Sequence, residues 1–270
     1  MKKERYGFED LVEIMKTLRS PNGCPWDREQ DHESLKKYLI EETYEVIEAI
    51  DLKSPGKLCE ELGDVLLQVV FHAAIAEENG RFTIYDVIDG ISRKMVHRHE
   101  HVFGKAHAET SDDVLELWDK IKKQEKGAKS QTEIMKDVPV VLPALMRSYK
   151  VQEKAAKVGF DWDDIEDAWK KVYEEMEELY EVYKSGDLEK TEEELGDLLF
   201  AVVNVSRFLK IQPELALTKT INKFIKRFEY IETTSADNGK KLTDMTLEEM
   251  DALWDKAKEL YRRGENNEDR

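Results

Sequence analysis

The 270-residue chain is written twice, and that constrains its fold more than any other feature: a repeat of this length must be one folding unit copied, not two halves of a mixed core. Gly23, Trp26 and Asp27 recur 136 residues later as Gly159, Trp162 and Asp163. The acidic set Glu41, Glu42, Glu45, Glu61 and Asp64 recurs 133 residues later as Glu174, Glu175, Glu178, Glu194 and Asp197. Lys94 and Arg98 return as Lys223 and Arg227, and Trp118-Asp119-Lys120 returns as Trp254-Asp255-Lys256. Four landmarks in one order, with only small changes of offset, define two copies of one domain. We place them at 1–125 and 139–270, joined by a linker over 126–138. The linker falls in the polar stretch QEKGAKSQTEIMKDVP, which lacks apolar periodicity and ends before Pro139.

Within each copy the pattern is helical. The chain has only six prolines and no sustained Val/Ile/Thr alternation, and Glu, Lys, Leu and Ala fill the apolar-periodic runs. Copy one is expected to use helices near 8–19, 32–51, 57–79, 84–100 and 112–125. Copy two is expected to use 143–157, 164–184, 188–210, 213–233 and 246–262. The fold class is all-α, two tandem helical bundles.

A net charge of −17 argues against a general nucleic-acid or anionic-membrane binder, since both need a basic face to displace counterions, and it suits a binder of metal cations. The longest apolar stretch, VLLQVVFHAAIA at 65–76, is far short of the about 20 residues needed to span a membrane, and no signal-peptide pattern opens the chain. Two cysteines, Cys24 and Cys59, have no metal-type spacing and are too few for a disulfide framework. A reduced compartment, the cytoplasm, is the expected location.

The carboxylates carry the chemistry. At about 100° per residue, Leu39, Ile40, Thr43, Val46, Ile47 and Ile50 form one apolar stripe, with Glu42 at its edge and Glu45 on the adjacent turn. The following helix, LCEELGDVLLQVVFHAAI, is apolar nearly all round and is therefore expected to be buried. Its polar exceptions Glu61, Asp64, Gln68 and His72 share one face. Acids at that density in a buried helix are destabilising unless they face a cation. Copy two keeps Glu194 and Asp197 but has Ala201 and Val205 in place of Gln68 and His72, and Asn204 extends its polar face.

Each helix pair is joined by a short turn, Ser54-Pro55-Gly56 or the region of Gly186-Asp187, and should pack antiparallel, so that four carboxylates converge. With no histidine in these pairs, the site is hard and all-oxygen, suited to Mg²⁺ with Mn²⁺ as a substitute. Such a cation with open coordination positions suits phosphates, and Lys94, Arg98, Lys223 and Arg227 supply bases after each acidic motif. Lys171 lies one turn before Glu175, where copy one has Tyr38; Trp118 and Trp254 are candidates to stack on a base. The histidines of HRHEH at 97–101 would converge on a strand but fan out on a helix, so they are not read as a zinc site.

These residues resemble the MazG family of all-α nucleoside triphosphate pyrophosphohydrolases. The pattern E-E-x-x-E followed by E-x-x-D is met in both copies, and GCPWDREQDHESL, LPALMRSYKVQ and VGFDWD look like hallmarks of the two-domain members. The resemblance implies Mg²⁺-dependent hydrolysis of (deoxy)nucleoside triphosphates to monophosphate and pyrophosphate, ATP among them, in a homodimer. It maps metal ligands to Glu42, Glu45, Glu61 and Asp64 and to Glu175, Glu178, Glu194 and Asp197. It also implies that the C-terminal copy is the main catalytic one, with Lys223, Arg227 and Trp254 near the nucleotide. From the residues, Lys171 and Asn204 join the substrate-binding set, with Lys94 and Arg98 as the copy-one counterparts of Lys223 and Arg227. Glu174 and Glu175 are the candidates to activate the attacking water. The reading from another class is a non-enzymatic acidic helical module, a metal buffer or scaffold; a nucleotide panel with Mg²⁺ separates the two, because a scaffold yields no monophosphate.

Overall fold

The computed structural model describes residues 3–111, 113–114, 117–118, 121 and 130–268, with side chains described as far as Tyr261. The chain divides into two compact units, Met1–Gly127 and Ala128–Arg270. Among the described residues every regular element is a helix. In the first unit these are α1 (Phe8–Arg19), α2 (Pro25–Glu29), α3 (Lys36–Asp51), α4 (Pro55–Glu78), α5 (Ile84–Arg98) and α6 (Glu100–Phe103). In the second they are α7 (Gln131–Lys136), α8 (Ala144–Ala156), α9 (Ile165–Tyr183), α10 (Leu188–Phe208), α11 (Pro213–Asp237) and α12 (Leu247–Glu268), with a 3₁₀ turn at Leu242–Asp244. Most of the helix expected at 112–125 lies outside the described residues.

The ends of the acidic helices are set by local chemistry. Ser54 caps α4 by accepting from the Lys57 amide, with Pro55 at the first helical position, where a missing N–H costs nothing. Asp187 caps α10 by accepting from the Lys190 amide, and Gly186 before it takes φ +74°, a conformation a side chain would oppose. Asp164 caps α9 through the amides of Glu166 and Asp167. The two reversals are short, so α3 lies along α4 and α9 along α10. Sequence places the start of α3 at 32, but it begins at Lys36. Asp31 and Ser34 exchange backbone-to-side-chain bonds of 2.8 and 3.0 Å and hold the intervening residues in a turn. Part of the stretch expected to be linker is also helical. Ser130 and Glu133 form a reciprocal capping box that starts α7, and Gln131 Nε2 donates to the Lys154 carbonyl of α8 at 2.5 Å.

In the first unit Val12, Met15, Leu35, Val70, Phe71, Ala73, Ala74, Ile75 and Ile84 form the core, where α1 and α3 meet the second half of α4. In the second unit a smaller cluster of Ala168, Val172, Ala201 and Val205 closes the start of α9 against the second half of α10. Each core packs one end of an acidic helix pair, and the carboxylates lie toward the other end. The expectation that α4 is buried all round holds only for that packed half. Leu62, Leu66 and Val69 are exposed, as are Leu39, Ile40 and Ile50 of α3, because nothing among the described residues of this unit is packed over them.

The recurring glycines serve different ends. At Gly23 an added Cβ would lie 2.1 Å from the Leu18 carbonyl oxygen, which accepts from the Cys24 amide. Gly159 has open space around it but sits at φ +82°. Gly159→Ala is therefore expected to cost about 1–2 kcal/mol, the left-handed penalty. Gly23→Ala, which forces backbone apart, should cost more, about 3 kcal/mol. Urea denaturation of the two variants checks the order.

Candidate functional site

The α9–α10 pair in the second unit positions the acids. Glu175 is 5% exposed, and its carboxylate lies with those of Glu194 and Asp197 such that oxygens of all three fall within 4.8 Å of one another. The same spacing unites Glu174, Glu175 and Glu178, so Glu175 is common to both groups. The second member of each group comes from a helix periodicity: Glu175 and Glu178 are one turn apart, as are Glu194 and Asp197. Lys171, one turn before Glu175, bonds Glu174 at 2.7 Å and Glu175 at 2.5 Å. Those two bonds raise the Lys171 pKa well above that of a free lysine. The Glu178 carboxyl is pushed up by burial and then by the charge of Glu175.

The first unit repeats the acids with different neighbours. Glu42, Glu45 and Glu61 bring oxygens within 4.8 Å of one another, and Glu61 is buried. The Glu42 carboxyl is raised by burial and then by Asp64 and Glu45; that of Glu61 is raised by burial and then by Glu45. No lysine stands where Lys171 does. Tyr38 takes that position, edge-on to Trp26 at 5.9 Å and under the Lys37 ammonium at 4.5 Å. Glu41 and Thr43 are exposed, and the Thr43 hydroxyl donates back to the Leu39 carbonyl. Both clusters are all-oxygen donor sets of a size one hard divalent cation can span with small side-chain movements.

The bases and the tryptophan are on other helices. Arg227 of α11 lies over the ring of Trp254 of α12 at 5.4 Å, and Phe224 packs on the same ring at 5.0 Å. The Arg227 Nε is buried without a hydrogen-bond partner among the described residues, and Lys223 is exposed. Helix α11 packs mainly against α12 and α8. No hydrogen bond or ion pair among the described residues joins Lys223, Arg227 or Trp254 to the carboxylates. In the first unit Lys94 is exposed and Arg98 half-buried near the end of α5. The histidine cluster is local: His99 Nδ1 bonds the Met95 carbonyl at 2.7 Å, and its ring meets His101 at 5.7 Å and Trp118 edge-on at 5.3 Å.

Asn204 lies on α10 seven residues after Asp197, and its Oδ1 accepts from Arg207 Nε at 3.2 Å and Nη2 at 2.9 Å. Arg207 Nη2 also bonds Asp161. Asn204 is among the residues expected from the sequence; Arg207 and Asp161 are not. The i, i+3 spacing of Asn204 and Arg207 was a visible signal, whereas Asp161 is 46 residues from Arg207 and only the fold joins them. A second contact not expected from the sequence is His32 with His72, whose Nδ1 atoms lie 2.9 Å apart in stacked rings.

Comparison with known proteins places this geometry in a family. The model of the MazG nucleotide pyrophosphohydrolase domain matches residues 30–103 and 164–231, one match in each unit. The chain is 50% identical over 258 residues, 96% of its length and 98% of the relative, to a nucleoside triphosphate pyrophosphohydrolase/pyrophosphatase MazG of Thermotoga maritima. It is 46% identical over 254 residues, 93% of its length and 97% of the relative, to a nucleoside triphosphate pyrophosphohydrolase of Escherichia coli K12. It is also 54% identical over 257 residues to the uncharacterized protein YabN of Bacillus subtilis, where it spans 52% of the relative.

The raised carboxyls give a pH prediction. Folding lifts the Glu61 pKa above its ordinary 4.5, so the native state holds its proton more tightly and loses stability as pH rises through that window. Glu61→Gln is therefore expected to raise the melting temperature of the metal-free protein at pH 7, and the gain should vanish below about pH 4, where the wild-type carboxyl is itself neutral. Thermal melts of both proteins from pH 3.5 to 7.5 in chelator check this.

Proposed function

The chain belongs to the MazG nucleotide pyrophosphohydrolase family, and from that footing we infer that it hydrolyses nucleoside triphosphates to the monophosphate and pyrophosphate. The observation that carries the reading is the paired-helix carboxylate cluster, present in each family match and built of oxygen donors alone. We assign the main turnover to the C-terminal domain, 139–270. Glu175, Glu178, Glu194 and Asp197 would hold Mg²⁺, or Mn²⁺ in its place, and Glu42, Glu45, Glu61 and Asp64 are the equivalent set in the N-terminal copy. When bound, the ion would supply charge neutralisation for the triphosphate and polarisation of a water.

The residues of the chain do the rest. Glu174 and Glu175 flank the position for the attacking water, and either carboxylate is a base able to take its proton. Lys171, held by these two acids, is a cation placed to meet phosphate oxygens as charge develops on them. Lys223, exposed on α11, and Arg227, lying over the Trp254 ring, would add positive charge, and Trp254 would meet the base once that contact opens. In the N-terminal copy Lys94 and Arg98 hold the equivalent places, but Tyr38 cannot neutralise phosphate. That difference favours the C-terminal site.

Glu175→Gln and Asp197→Asn are each expected to lower metal-dependent pyrophosphate release from nucleoside triphosphates by about 100-fold or more, with Glu42→Gln having a much smaller effect. A pyrophosphate-release assay on the full chain decides the assignment; an equal loss from Glu42→Gln would reveal two working sites.

We further propose a homodimer. Tyr173, Met176, Tyr180, Leu199, Ile221 and Phe228 are large apolar side chains left exposed on α9, α10 and α11, as a surface awaiting a second copy would leave them. Ile221→Glu should convert the protein from twice the 31.5 kDa chain mass to a monomer in sedimentation equilibrium, with loss of turnover. Among the described residues no helix is long and apolar enough to cross a membrane. The nucleotide substrate and two free thiols, Cys24 and Cys59, support a cytoplasmic location.

A further inference from the structure

The Asp161–Arg207–Asn204 network has no counterpart among the described residues of the first unit, although the acids on the same helices do. The 133-residue offset puts Phe71 and Ala74 where Asn204 and Arg207 stand, and both are buried in the first core. The second unit therefore replaces core residues with a polar group, and a half-buried polar group must be given a use or a partner.

The geometry of the network fixes which way the amide faces. A guanidinium carries only N–H donors, so the atom of Asn204 that meets Nε and Nη2 at 3.2 and 2.9 Å must be the carbonyl oxygen. Arg207 is only 13% exposed, bonds Asp161 through the same Nη2, and lies over the Phe208 ring at 4.7 Å. It is held from three sides and cannot release Asn204 to turn over without breaking these contacts. The remaining polar atom, Nδ2, makes no hydrogen bond among the described residues. Asn204 thus presents an NH₂ group, and only donors, on the carboxylate face of α10. Seven residues past Asp197, it lies about two turns, or roughly 10 Å, along the helix on nearly the same azimuth. With phosphates at the carboxylates, a nucleoside extending along α10 brings its base to this level.

We propose that Asn204 is the specificity-determining residue of the C-terminal site and selects bases with a carbonyl at the purine 6 or pyrimidine 4 position, with Arg207 and Asp161 as the positioning residues that lock its orientation. The inference rests on the pyrophosphohydrolase reading above. An oxo group accepts from the fixed NH₂, whereas the amino group of adenine or cytosine sets donor against donor and leaves both unpaired. The pairing is sharp because the locked amide cannot flip to offer its oxygen.

The test compares kcat/KM for inosine with adenosine triphosphate, and for uridine with cytidine triphosphate, in the full chain carrying Glu42→Gln so that only the C-terminal site reports. The ratio within each pair is independent of the fraction of enzyme folded. Wild-type Asn204 should favour the oxo member about tenfold. Asn204→Ala should bring both ratios near one. Asn204→Asp, which can give one oxygen to Arg207 and present the other as an acceptor, should invert them. Arg207→Lys keeps the charge but loses the fork, and should lower the ratios toward one; a merely structural role would reduce both members equally and leave the ratios alone. Ratios near one in wild type, or ratios unmoved by the Asn204 variants, would overturn the inference while leaving the hydrolase reading intact. No turnover of any of the four nucleotides would overturn the hydrolase reading itself.

Discussion

Everything in this protein depends on two helices lying side by side with their acids facing inward. Bringing three carboxylates within 4.8 Å is unfavourable, and the carboxyls of Glu42, Glu61 and Glu178 are raised first by burial and then by their acidic neighbours. The arrangement survives because repulsion is confined to one end of each pair while the other end is packed. Val70, Phe71 and Ile75 of α4 and Ala201, Val203 and Val205 of α10 are all buried, one to four turns beyond the acids on the same helices. The turns reinforce this: Ser54 and Asp187 cap the second helix of each pair, so register is set at the acidic end, where packing contributes least.

The two copies keep the acids and change what surrounds them. Lys171 bonds two carboxylates of the C-terminal cluster from within, whereas the N-terminal cluster has Tyr38 against Trp26 at that position and, among the described residues, meets a cation only through the charge of Lys57, whose ammonium bonds Glu48 instead. Gln68 and His72 continue the polar stripe of α4, and His72 ends against His32; the stripe of α10 skips to Asn204 and Arg207. A duplicated scaffold has thus been given two different chemical environments over one metal-type framework, which is how copies of a domain can divide binding and turnover without a change of fold.

The helices were legible because a 3.6-residue period repeated over 16 to 25 residues in α3, α4, α9, α10 and α11 leaves little room for another solution. Short elements were not. The five-residue α2 and six-residue α7 depend on Pro25 and on the Ser130–Glu133 box, signals too local to stand out from turn chemistry. Part of the site's geometry was legible: i, i+3 acids could be seen to share a helix face and Lys171 to lie a turn from Glu175, but the structure gathers carboxylates in threes rather than the expected fours, and Asp64 is in no such group among the described residues. The exposure of Leu62, Leu66, Leu199 and Phe200 was not, since apolar residues read the same whether their partner is in the chain or in another molecule.

The sequence by itself determined the duplication, the helical class and which carboxylates share a face, because those follow from spacing along one chain and the fixed geometry of a helix. Only the tertiary structure decided which acids touch, that Lys171 bridges Glu174 and Glu175, that α11 carries Arg227 to Trp254, and that Asp161 holds Arg207 against Asn204. Those contacts join residues on different helices or choose among rotamers on one, and their distances depend on how the helices rotate and slide against each other. A periodicity specifies the face a side chain takes but not the neighbour it finds there.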